Sequence, residues 1–291
     1  MMGVVIHIAE SKRYRYKGVI KFYCLILVFL FIGVFILTGL SQQTLVLKHY
    51  EIKSMLVPTQ FDGYKIIHIT DFHSGINSAS AVEVIKMTTA QSPDIICLTG
   101  DIIDGTTPNF VPVNELIAGL SDIAPVYSVS GNNEHYTSSI NDKMKQIYER
   151  HGVINMDGRT VTIFNGSEIL LSGIGDTANA RTLSDHSESL RRSKSAGSFH
   201  ILLYHRANDF DIVVSSDYEL VLSGHLHGGV VRLPFIGGIL SPYDKLFPKY
   251  SVGLYEKSNS TLISNSGIGN NYIFPRVYNP PEVVLITLYK E

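Results

Sequence analysis

The sequence predicts an α/β fold with mixed sheet pairing, set behind one N-terminal membrane helix. Three observations carry this. From Tyr64 onward, short apolar runs end in polar turns and are often followed by a helical pattern. Between residues 153 and 174 the strand-like runs come closer together, as antiparallel neighbours require. Before all of them, Phe22 to Leu40 contains no charged residue.

That first run, FYCLILVFLFIGVFILTGL, rises about 28 Å as a helix, close to the hydrocarbon thickness of a bilayer. Lys12, Arg13, Arg15, Lys17 and Lys21 precede it against the single acid Glu10. Lys48, Glu51 and Lys53, nearly balanced, follow it. The positive-inside rule then puts the N-terminus in the cytoplasm and the rest of the chain outside. A cleaved export signal and a buried core helix are the alternatives; GLS at 39–41 is a poor cleavage site, and SKR at 11–13 lacks an arginine pair. The expected organisation is a basic cytoplasmic segment at 1–21, a transmembrane anchor at 22–40, a stem at 41–60 and a catalytic domain at 61–291.

Of the 24 basic side chains five precede the anchor, and of the 26 acidic ones a single residue does, so residues 41–291 carry a balance of −6. RRSK at 191–194 is the one basic cluster there. A phosphate backbone would be repelled, and no nucleic-acid partner is expected. Cys24 lies in the anchor and Cys97 in an apolar strand, so no disulfide is expected and the domain must be held by its own core.

Within the domain, YKIIHIT leads to DFHSG and then to the helical pattern SAVEVIKMTTAQ. DIICLT leads to GDIID, and PVYSVS leads to GNNEH and the amphipathic INDKMKQIYERHG. Further strands are expected at TVTIF, EILLSGI, FHILLYH, YELVLSGH, TLISNSG and EVVLITLY. In α/β sheets, functional groups gather where strands end, because loops there can aim side chains into one crevice. Five such ends carry metal-ligand chemistry: Asp71 with His73, Asp101, Asn132, His205, and His225 with His227. Carboxylate, imidazole and amide oxygen without thiolate suit Mn, Fe, Zn or related divalent ions. Glycines precede Asp101, Asn132 and His225, which allows a sharp turn at each. Other histidines read blandly: His68 as a packed core residue, and His151, His186 and His200 as surface or structural.

In that order, DFH 71–73, GDIID 100–104, GNNE 131–134, His205 and GHLH 224–227 resemble the signature of the calcineurin-like metallophosphoesterase superfamily. The C-terminal GGVVRLPFIGGILSP, FPKYSVGLY and SNSGIG…NPPEVVLITL extend the resemblance over roughly 64–291, toward a membrane-associated or exported bacterial branch. It implies a four-layer sandwich, with two mixed β-sheets face to face and helices outside. It also implies two divalent metal ions, one held by Asp71, His73 and His227, the other by Asn132, His205 and His225, with Asp101 between them. Asp104 and Glu134 are implied as orienting acids. In such a site a bridging water is acidified for in-line attack while both ions neutralise phosphoryl charge.

The resemblance breaks at Asn133, where the family usually carries a histidine that serves as proton donor. An amide can donate a hydrogen bond to a phosphoryl oxygen but delivers no proton at neutral pH. Either His135 supplies the acid from a shifted position, or the enzyme favours good leaving groups; the second is the expectation. Arg206, beside His205, is a candidate phosphate contact or an exposed salt bridge, and the apolar loop at 232–248 is either packed or a lipid-facing rim of the site. The implied function is metal-dependent hydrolysis of a phosphodiester or pyrophosphate bond, in a small-molecule or lipid substrate. UDP-2,3-diacylglucosamine pyrophosphatase activity is the specific candidate, although an outward domain fits a cytoplasmic nucleotide-linked substrate poorly. A non-catalytic metal-binding scaffold of the same fold is the alternative. A β-lactamase-like zinc hydrolase would need a His-x-His-x-Asp-His cluster, which the sequence lacks.

Overall fold

A computed structural model describes residues 2–41, 44–76, 79–176, 180–191, 197–233, 235–241, 245–270 and 275–291. Most of RRSK 191–194, and residues 234 and 242–244 of the apolar segment, lie outside them. Residues 1–40 and 41–291 form separate compact units. The first is helix α1, Met2–Ser41. Its Lys17–Leu37 stretch, mean hydropathy 2.8, is long and apolar enough to cross a membrane.

The second unit opens with strand β1 (Val46–Ser54), inside the segment expected as a stem. This corrects that reading: β1 pairs in parallel along the C-terminal strand β15 (Glu282–Lys290) and belongs to the domain's sheet. Glu51 and Lys53 lie on a face that stays in water, and the exposed Lys48 interrupts the other face ahead of Tyr50 and Ile52, so the apolar pattern is diluted.

The strands between are β2 (Tyr64–Ile69), β3 (Ile95–Thr99), β4 (Val126–Val129), β5 (Ile154–Asn155), β6 (Arg159–Phe164), β7 (Glu168–Ile174), β8 (His200–Arg206), β9 (Leu220–Gly224), β10 (Val231–Leu233), β11 (Gly237–Ser241), β12 (Lys245–Leu246), β13 (Gly253–Lys257) and β14 (Ser260–Ser264). They build two six-stranded sheets, ordered β1-β15-β2-β3-β4-β5 and β13-β14-β9-β8-β7-β6. In the first, β2 to β5 run parallel and β15 antiparallel to β2. In the second, β7, β8, β9 and β14 run parallel, with β6 and β13 as antiparallel edges.

The period-two alternation of the strands makes the layers. Ile66, Ile95, Val284 and Ile286 of the first sheet meet Ile201, Leu203, Leu220 and Leu222 of the second in one buried core. The alternate residues Ile67, Ile69, Ile96 and Leu98 turn outward onto helices α2 (Ala81–Thr89), α3 (Phe110–Ser121) and α4 (Ser138–His151). Leu202, Tyr204 and Val221 turn the other way, toward α5 (Ala180–Arg191) and α6 (Phe210–Val213). The result is the four-layer α/β sandwich that the resemblance implied.

Caps fix where the outer helices start. Ser80 and Glu83 form a reciprocal capping box on α2, and the Thr137 hydroxyl accepts the Ile140 N–H on α4. The parallel strands of both sheets present their carboxyl ends as neighbours, and the polar turns emerge there.

Candidate metal centre

The turns after β2, β3, β4, β8 and β9 converge. Asp71, His73 and His227 offer ligand atoms within 4.8 Å of one another, and so do Asp101, His205 and His225. His227 Nε2 lies 3.3 Å from Asp71 Oδ1 and 3.1 Å from His73 Nε2. His225 Nδ1 lies 3.0 Å from His205 Nε2. Asp101 Oδ2 faces both groups, 3.4 Å from His205 Nε2 and 3.8 Å from His73 Nε2.

The backbone is strained to achieve this. Asp71, His73, Asp101, His225 and His227 all hold positive φ, between 46° and 76°. Each such non-glycine residue costs on the order of 1–3 kcal/mol and persists where the surroundings over-determine it. Two glycines are required by close approach. A Cβ on Gly224 would sit 2.2 Å from Asp71 Oδ2, and one on Gly131 would sit 2.3 Å from Asp101 Oδ1.

The donor set fits divalent cations. Asp71 Oδ1 and Asn132 Oδ1 are buried and accept no hydrogen bond, as expected of oxygens kept for an ion. The electrostatics also call for positive charge. Burial alone would lower the His205 pKa, but the Asp101 and Asp71 carboxylates lift it to about 10. Burial opposes ionisation of Asp101, yet His205, His73 and the Asn133 N–H hold its carboxyl well below the usual range. Asp71 shifts the other way, raised by burial and by Asp101. Burial, with His205 beside His225 and His73 beside His227, pushes those two imidazoles well below their ordinary value. His225 and His227 are thus neutral, as metal ligation needs, while His205 holds a proton that a bound cation would have to displace.

Glu134 is buried and accepts N–H bonds from Gly131, Asp101 and Ile102 at 2.7–2.9 Å. It ties the β3 and β4 turns together. Burial and the nearby Asp101 raise its carboxyl to about 7. Asp104 Oδ1 accepts from the backbone and hydroxyls of Thr106 and Thr107, while Oδ2 lies 3.7 Å from His73 Nδ1.

Asn133 is turned onto Asp101. Its N–H donates to Asp101 Oδ1, its Nδ2 to Asp101 Oδ2 at 2.5 Å, and its Oδ1 accepts from Gly105 N–H. It clamps Asp101. His135 is exposed; its Nε2 lies 2.8 Å from Ser130 Oγ, and its Nδ1 3.1 Å from Asn141 Nδ2. Because the amide nitrogen can only donate, Nδ1 accepts and Nε2 carries the proton toward Ser130, whose hydroxyl donates to Asp157. Arg206 is held by Asp176 through two bonds, 2.5 and 2.9 Å, with Nη1 3.5 Å from His225 Nε2.

Several positioning residues escaped the sequence reading. Asn279 Nδ2 donates to the His227 carbonyl at 2.6 Å. The buried Arg276 donates to Gly269 O and lies 3.3 Å from His227 Nδ1. Gly267, at φ 73°, packs against the Asp71 side chain. All three lie in the 264–282 segment, and its Ser-Asn-Ser-Gly run at 264–267 was the available signal.

Residues 64–229, which span every candidate ligand, match the sequence model of calcineurin-like phosphoesterases. The chain belongs to that family. It is a metal-dependent phosphoesterase, with two candidate metal-binding clusters. A Bacillus subtilis protein, the uncharacterized metallophosphoesterase YkuE, is 31% identical over 250 residues, 82% of this chain and 84% of that one. The phosphodiesterase YaeI of Escherichia coli is 22% identical over 230 residues, 77% of this chain and 82% of its own. A zebrafish transmembrane protein with a metallophosphoesterase domain is 23% identical over 254 residues, 82% of this chain and 56% of that protein. The crystal structure of TT1561 from Thermus thermophilus shares the fold, with TM-score 0.50 and 12% identity over 70% of this chain and 90% of that one.

Proposed function

We propose that this chain is a membrane-anchored phosphodiesterase or pyrophosphatase acting on a lipid-linked substrate, its domain outside the cytoplasm. The observation that carries the hydrolytic part is Asp101 Oδ2, facing both three-ligand clusters from one strand end. Asp71, His73 and His227 would hold one divalent ion; His205, His225 and the free Asn132 Oδ1 would hold the other. Bound there, two such ions supply an acidified water and charge neutralisation at the phosphoryl oxygens.

The chain's own residues then do the positioning. Asn133 keeps both Asp101 oxygens aimed, and Glu134 fixes the two turns that present them. Arg206, straightened by Asp176, is the side chain offered to a phosphoryl oxygen beside His225. No proton donor stands where the family's histidine usually does, which favours phosphoanhydrides and activated diesters as substrates. His135, turned to Ser130 and Asn141, is not offered as its replacement. Filled ligand positions speak against the non-catalytic scaffold.

Anchoring rests on the Lys17–Leu37 helix and the basic residues before it. UDP-2,3-diacylglucosamine is the first substrate to try. The test is the full chain in detergent with Mn, assayed against monoester, diester and pyrophosphate substrates, each in soluble and lipid-linked form. Faster hydrolysis of lipid-linked diesters or pyrophosphates supports the reading; a preference for soluble monoesters overturns it. For topology, a reporter active only outside the cytoplasm, fused after Glu291, should give signal, and signal from a cytoplasmic reporter alone rejects that orientation.

A further inference from the structure

Strands β10, β11 and β12 form a small antiparallel sheet of their own, outside both large sheets. It follows directly on the turn that carries His227. Arg232 ties its base to that turn, donating from Nη1 to Gly228 O at 2.9 Å, and its N–H donates to Val277 O. Its outer parts are apolar and open to solvent. Phe235 is fully exposed, and Leu233, Ile236, Leu246, Phe247 and the adjoining Tyr278 are between 42% and 63% exposed. Other exposed hydrophobic side chains of the domain, such as Val82, Val111 and Phe164, are scattered. Soluble surfaces seldom gather apolar residues in this way unless something covers them.

The backbone adds an independent observation. Phe235, Phe247 and Tyr278 all adopt positive φ, at 67°, 56° and 50°. Glycine or asparagine would take such positions without strain, and a bulky residue there is an outlier. Three aromatic side chains are thus held outward at a conformational cost, with no buried contact to offset it in Phe235. Charge points to the covering partner. Residues 231–250 hold Arg232, Lys245 and Lys249 against Asp244, and although Lys249 pairs with Asp211 at 2.9 Å, the segment stays more basic than a domain whose balance is −6. Aromatic and aliphatic tips with a basic base suit the headgroup region of an anionic bilayer.

We infer that this patch is a second membrane contact, dipping into the interfacial layer of the bilayer and so holding the mouth of the metal centre against lipid-borne substrate. The inference rests on the proposed anchor, because the helix Lys17–Leu37 keeps the domain near a bilayer.

The chain contains no tryptophan, so single substitutions create unique fluorescent reporters. The full chain would be reconstituted into vesicles of phosphatidylcholine and phosphatidylglycerol, with and without brominated phosphatidylcholine. Phe235→Trp and, separately, Tyr278→Trp should emit at shorter wavelength than in water and lose most of their intensity to bromolipid. Phe164→Trp, on β6 and also exposed, should emit as in water and be quenched by acrylamide instead. Phe29→Trp, within α1, reports the anchor itself. If Phe29→Trp is quenched by bromolipid while both patch reporters stay aqueous, the patch is overturned and the anchor stands. If Phe29→Trp is not quenched, the anchor fails and the inference with it. Patch reporters that are blue-shifted yet insensitive to bromolipid mean that protein, such as a second copy of the chain, covers the sheet, which also overturns the inference.

Discussion

Asn133→Asp keeps the side-chain shape and the acceptor that takes the Gly105 N–H, but sets an oxygen where Nδ2 now meets Asp101 Oδ2 at 2.5 Å. Two ionised carboxylates cannot share that contact, so one takes up a proton on folding. A protonated carboxyl at position 133 restores a donor to Asp101, and protonation therefore caps the penalty. Near pH 7, protonating a carboxyl of ordinary pKa costs about 4 kcal/mol. The folded pKa is raised above the unfolded one, so the folded state binds more protons and stability falls as pH rises. The deficit should shrink by about 1.4 kcal/mol for each pH unit of acidification and nearly vanish near pH 4. Urea unfolding of the chelator-treated full chain in detergent, followed by near-UV circular dichroism at pH 5, 6 and 7, measures it. A deficit equal at all three pH values, or none, would refute the clamp.

Three further outcomes follow from the geometry. Gly224→Ala drives a methyl group to 2.2 Å from Asp71 Oδ2, so bound metal and activity should fall together, read by elemental analysis and diester hydrolysis. His135→Ala should change hydrolysis of alkyl and p-nitrophenyl diesters only a few-fold, well short of the ~10²–10⁴-fold worth of a general acid; a loss in that range would place the acid at His135. Burial pushes His68 down to about 3. The unfolded chain binds its proton first, so stability should decline as pH falls from about 6.5 toward 3, and His68→Gln should flatten that limb in acid titrations followed by circular dichroism.

The two large sheets, and the six Asp and His residues that gather into two clusters, were legible because apolar strand runs end abruptly in polar turns, and parallel strands collect those ends. What stayed hidden acts without periodicity. Strand β1 is a half-wet edge, and Lys48, Glu51 and Lys53 blur its alternation. Helix α3 escaped because FVPVNELIAGLS carries little polar contrast, its buried Val113, Leu116, Ile117 and Leu120 facing the first sheet's core. The apolar 232–248 segment read as a loop, since strands as short as β10 and β12 leave no pattern. Arg276 and Asn279 serve His227 from 49 and 52 residues away through single hydrogen bonds. Asn133 was visible as a departure from the family's pattern, but its clamp on Asp101 needs coordinates to be seen.

The most direct test of the two-cluster reading is the rate of diester hydrolysis as Mn is titrated into the metal-free full chain, with bound metal measured on the same samples. Two ions should bind per chain, activity should appear chiefly with the second, and Asp101→Asn should abolish both the second equivalent and the rate. Full activity at one ion per chain, or an Asp101→Asn variant that binds two ions and hydrolyses normally, would contradict it.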